Sequence, residues 1–178
     1  MREPTIARNY AETLVSLARK AGDLAGWGAM ISDVASALQR DAQLTLYLNS
    51  PRISAERKNA VLARAFQDRL PRLFVRFLQA VVSHRRQALI PAISVEYGNI
   101  VDALENRVHA HVTVARDPDA ALQSTISTGI SKALGKTVVP HYVVRPEILG
   151  GLIVRVGDTV MDGSVRRRLG VLRAQLGG

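Results

Sequence analysis

Residues Gly129 to Thr137 read GISKALGKT, close to the glycine-rich G-x-x-x-x-G-K-T loop that cradles phosphate. Five residues separate Gly129 from Gly135, one too many for that motif. A phosphate loop also follows a strand and opens a helix. Here the glycine-lysine pair closes a helical pattern and enters a strand pattern, so Gly135 is expected as a helix C-cap. A second glycine-rich stretch, GGLIVRVGDTVMDGSVRRRL from Gly150 to Leu169, lacks dinucleotide spacing between Gly150, Gly151 and Gly157. Its glycines suit tight turns between short antiparallel strands. Asp158 and Asp162 fall in turns, where aspartate is expected for backbone reasons. No serine sits in a nucleophile elbow, and no acid pair lies in an apolar setting as general acid-base chemistry requires. His109 and His111 share one strand face and could supply two metal positions, but neither a carboxylate nor a third histidine has metal-ligand spacing in sequence. There is no cysteine, which removes thiol chemistry and disulfides. The residues therefore predict no catalytic centre, no metal site and no bound cofactor.

The elements that carry these residues divide into two groups. Up to Glu105 the signals are helical. Ile6, Tyr10, Leu14 and Leu17 form a stripe over Thr5–Ala21, with Ala7, Ala11 and Ala18 beside it to permit close helix approach. Gly22-Asp23 breaks that helix. A second helix over Leu24–Arg40 carries Met30, Val34 and Leu38 on one face, and a short third covers Ala42–Leu48. NSPRIS is a turn, after which Ser54 caps a helix with Val61, Leu62, Ala65 and Phe66. The next begins near Pro71 and carries Phe74, Phe77, Leu78, Val81 and Val82, and another runs from Gln87 to Glu105. After Asn106, RVHAHVTVAR alternates strictly, as a half-buried strand does. A helix from Asp117-Pro118 to Leu134 follows, then TVVPHYVVR, whose Pro140 predicts an edge strand. LIVRV and TVMD make a hairpin about Gly157-Asp158. Ser164 caps a final helix with Val165, Leu169, Leu172 and Leu176 on one side. The expected fold is α+β: an all-helical bundle of about six helices over residues 1–105, then a small α/β domain over 106–178 with a short sheet and a C-terminal helix.

The chain has 178 residues and is 47% hydrophobic, enough for a real core, yet only 4% aromatic. No apolar run approaches the roughly 20 residues needed to span a bilayer. The arginines near the start are accompanied by Glu3 and Glu12, against a transit peptide. This reads as a soluble intracellular protein able to sit on a membrane complex. The net charge is +9 and uneven. Residues 51–90 hold nine Arg or Lys against Glu56 and Asp68, and the tail adds Arg166, Arg167, Arg168 and Arg173. Such patches imply an acidic partner, whether nucleic acid, anionic lipid or protein. A basic helical RNA-binding protein is the alternative this charge supports, although Phe66, Phe74 and Phe77 lie on apolar helical stripes rather than as stacking platforms.

Four stretches carry a family resemblance: IARNYAETLVSLA, LNSPRISAERKNAVL, RFLQAVVSHRRQALIPAISVEY and, most specifically, PEILGGLIVRVGDTVMDGSVRRRLGVLRAQL. In this order they resemble the delta subunit of bacterial F-type ATP synthase, the family of the mitochondrial oligomycin-sensitivity-conferring protein. The last stretch matches through Gly150, Gly151, Gly157, Asp158, Asp162 and Ser164. One departure is Arg145-Pro146-Glu147, where family members commonly have Asp-Pro. The resemblance implies a non-catalytic stator subunit, one copy per complex. It would join alpha subunits of the catalytic head to the b subunits of the peripheral stalk, so that proton-driven rotation is coupled to ATP synthesis. It implies a head-binding groove between the first and fifth helices, with Tyr10, Ala11, Leu14, Leu17, Phe74, Phe77, Leu78 and Val81 as its candidates. The small domain would hold the stalk. The subunit would sit peripherally at the cytoplasmic face of the bacterial plasma membrane, touching membrane only through the complex, with no nucleic acid bound.

Overall fold

A computed structural model describes residues 3–66 and 69–176. The chain forms two compact units that divide between Val101 and Asp102. The first holds α1 (Glu3–Ala21), α2 (Leu24–Arg40), α3 (Ala42–Asn49), α4 (Ala55–Phe66), α5 (Arg72–Ser83), a 3-10 turn at Gln87–Leu89, and most of α6 (Ile90–Leu104). Aspartates set its corners. Asp23 accepts from the Gly26 amide at 2.7 Å, and Asp41 both ends α2 and accepts from the first amides of α3.

The centre of this bundle is a finer division of the apolar stripes than periodicity gives. On α1 the innermost side chains are Ala7, Ala11, Leu14 and Ala18, all 0% exposed, while Ile6, Tyr10 and Leu17 are half-buried. The three alanines are fully buried, and a side chain without length leaves room for a neighbouring helix to come near. On α2 the buried row is Trp27, Ile31 and Ala35, one position on from the half-buried Met30, Val34 and Leu38. Trp27 meets Phe74 edge to face, with centroids 5.6 Å apart. The carbonyls at the end of α3 find buried donors: Gln87 Nε2 donates to Leu48 O at 2.7 Å, and Lys58 Nζ donates to Ser50 O at 2.8 Å.

The second unit contains β1 (Arg107–Val114), α7 (Ala120–Leu134), β2 (Thr137–Val144), a 3-10 turn at Pro146–Ile148, β3 (Leu152–Val156), β4 (Thr159–Asp162) and α8 (Val165–Leu176). The strands form a four-stranded sheet in the order β2-β1-β3-β4. β1 and β2 are parallel and joined through α7, while β1-β3 and β3-β4 are antiparallel. β2 is an edge strand, and Pro140 lies in it opposite Ala110. Ala110, Val112, Val114, Val138 and Val154 pack beneath Ile126 and Ile130 of α7. Asp119 caps α7 at its start, and Gly135 closes it in the left-handed region at φ 63°.

Candidate partner-binding surfaces

On the first unit, α1 and α5 lie side by side. The Tyr10 ring meets Phe77 edge-on at 6.3 Å, and the Arg86 guanidinium stands 5.7 Å from the Tyr10 ring centre. The eight groove candidates separate here by burial. Ala11, Leu14, Phe74, Leu78 and Val81 are at most 1% exposed and fill the bundle core. They back the α1/α5 surface and present none of it, because each points between helices rather than across them. Phe77 is 6% exposed, and Tyr10 and Leu17 are half-buried at the surface. Leu73, one turn before Phe77, is 49% exposed and extends the same side of α5. Periodicity does not single it out, since an apolar stripe does not say which of its edges meets solvent.

On the second unit, α7 covers one sheet face and leaves the other open. Alternation puts His109, His111 and Thr113 of β1, His141 and Val143 of β2, Ile153 and Arg155 of β3, and Val160 and Asp162 of β4 on that open side. Together with the Pro146–Ile148 turn and the start of α8 they shape a concavity of about 990 Å³. Arg145, Arg155, Arg166 and Arg167 line it against Glu147 and Asp162, so it is basic on balance. The histidines form a chain along the same open face, of which His111 reaches the concavity. His109 Nε2 lies 2.9 Å from Asp102 Oδ2, and His109 Nδ1 lies 2.8 Å from His141 Nε2. His111 leans on the His141 ring with centroids 5.7 Å apart. The carboxylate and third histidine that sequence spacing lacked thus arrive from α6 and β2, because parallel pairing sets His111 opposite His141. Among the described residues, no group of three or more His, Asp or Glu is arranged to hold a metal ion.

The glycine-rich motif is a backbone knot at the base of α8. Gly151 has φ +75°, and a Cβ there would lie 2.4 Å from the Gly163 carbonyl oxygen. The Gly163 amide donates to Leu152 O and the Val165 amide to Gly150 O, each at 3.0 Å. Asp162 Oδ1 accepts from the Ser164 amide at 2.9 Å, and buried Ser164 Oγ accepts from the Arg167 amide at 3.2 Å. These bonds with Ser164 hold the Asp162 carboxyl below its ordinary value, with smaller help from Arg167 and Arg166. Gly157, at φ +56°, and exposed Asp158 form the two-residue turn of the β3-β4 hairpin. The knot launches a helix that buries none of its own side chains: α8 has no buried residue, and Leu169, Leu172 and Leu176 are 52%, 52% and 86% exposed.

A family model described as ATP synthase delta (OSCP) subunit matches residues 6–176. The chain belongs to this family. The ATP synthase subunit delta of Gemmatimonas aurantiaca is 56% identical over 174 residues, covering 98% of this chain and 94% of that one. That of Symbiobacterium thermophilum is 35% identical over 173 residues, covering 95% and 91%. A chain in the Toxoplasma gondii mitochondrial ATP synthase hexamer shares the fold, with a TM-score of 0.59, 22% identity and 97% of each chain covered. As a delta (OSCP) family member, the protein is a non-catalytic stator subunit of an ATP synthase. The motif from Gly150 to Ser164 accordingly acts through backbone geometry and not through chemistry. At Arg145-Pro146-Glu147, the Arg145 amide donates to Val114 O at 2.7 Å and Glu147 is exposed. Among the described residues no helix is long and apolar enough to cross a membrane.

Proposed function

We propose that the first unit grips alpha subunits of the catalytic head through the α1/α5 surface, and that the second unit holds the b subunits of the peripheral stalk. One copy serves each complex, at the cytoplasmic face of the bacterial plasma membrane, bound to the membrane only through its partners. The observation that carries the stalk assignment is α8, an amphipathic helix with its leucines in solvent. A short helix gains most of its stability from packing its apolar side, so α8 is built to be covered. The basic concavity beside it favours an acidic partner segment. At the head, the half-buried Tyr10 and Leu17 with exposed Leu73 supply the apolar strip that a partner helix would bury.

The test is sedimentation of the purified chain with delta-depleted catalytic head at moderate and high salt. Co-sedimentation at one chain per head that survives salt supports apolar docking. Association that is lost as salt rises would replace apolar docking by charge pairing at the head, and no association by the folded chain would sink the reading.

A further inference from the structure

We propose that the first unit also carries a binding site for a small apolar molecule, about the size of one aromatic ring, enclosed by α2, α3, α4 and α5. The cavity has a volume of about 140 Å³. Leu38, Leu48, Leu62, Phe66, Leu78 and Val82 form most of its wall, and every lining side chain is apolar. Its floor is fixed: Leu48, Leu62, Leu78 and Val82 are all under 10% exposed. Its mouth is open to solvent beside exposed Val61, Ala37 and Ala65. A water molecule inside would find no side-chain hydrogen-bond partner, so the space favours an apolar guest. Apolar cavities near 150 Å³ with this kind of lining stay dry and take up benzene.

The occupant is a free molecule and not the side chain of a docked protein. Its volume matches a single ring, and its wall offers no polar group to fix the main chain of an inserted segment. The site is also separate from the α1/α5 surface. No α1 residue lines it, and α5 contributes Leu78 and Val82 rather than Leu73 or Phe77.

The experiment titrates benzene into the full-length chain and follows methyl resonances and melting temperature. Saturable shifts concentrated on Leu38, Leu48, Leu62 and Val82, with an affinity of roughly millimolar, are expected. The melting temperature should rise with benzene concentration, since a ligand of the native state stabilises it. Ala65→Phe, which puts a ring at the mouth, should weaken binding by at least roughly tenfold. If that variant does not fold, Ala37→Leu closes the opposite side of the mouth and decides the same question. Shifts that never saturate, that spread equally over apolar surface elsewhere, or that persist unchanged in the filled variant would overturn the site.

Discussion

Gly151 and Gly157 both sit at positive φ, yet they are unequal. Gly157 has open space where a Cβ would go, whereas at Gly151 a Cβ would run into the Gly163 carbonyl. Gly157→Ala should therefore cost only the left-handed penalty of about 1–2 kcal/mol. Gly151→Ala adds a backbone clash and should cost roughly 3 kcal/mol or more by urea unfolding. Equal losses would mean that the knot relaxes around an added methyl group. Asp162 tests the same region by charge. Its carboxyl is held below the ordinary value in the folded chain. Its contribution is therefore fully present above the unfolded carboxyl's range, and is lost as pH falls through the lower folded value. Asp162→Asn should flatten the acid limb of the stability profile while an amide oxygen still accepts from Ser164. An unchanged acid limb would show that its charge contributes nothing.

At the scale of elements, α5 separates core from surface within one turn. Phe77→Asp would bury a charge against Tyr10 and should cost about 4 kcal/mol or more, so its failure to bind the head would be uninformative. Leu73→Asp lies at an exposed position in the first turn of α5, where an acid suits the helix dipole. It should leave stability within about 0.5 kcal/mol. Head binding should fall by at least roughly tenfold, read by sedimentation. Undiminished binding would remove Leu73 from the surface. Element types and their order were legible because long periodic stretches and strict alternation are local signals. The choice among neighbouring rows was not. Met30-Val34-Leu38 and Trp27-Ile31-Ala35 are equally good helical rows, and only the surrounding helices select the second as core. The same limit hid which groove candidates face inward. It hid the His109-His141 pairing too, since strand register is a long-range property.

For the whole molecule, the separation of two compact units predicts separable losses. Removing α8 after Ser164 deletes no buried side chain, so both cores should persist by circular dichroism and methyl spectra. Stalk binding should disappear while head binding remains. Loss of both would show that the tail supports the entire fold. The order of strands in the second unit bears on a different property, resistance to force. The chain enters the sheet at the start of β1 and leaves for α8 at the end of β4. Both strands are antiparallel to β3, and so run the same way. A pull applied between entry and exit therefore slides β1 and β4 in opposite directions along their lengths. The ladder bonds are loaded together in shear instead of being peeled open singly. Under tension between its two attachments, this small sheet should yield abruptly and late, as a fastening does, rather than unravel from one edge.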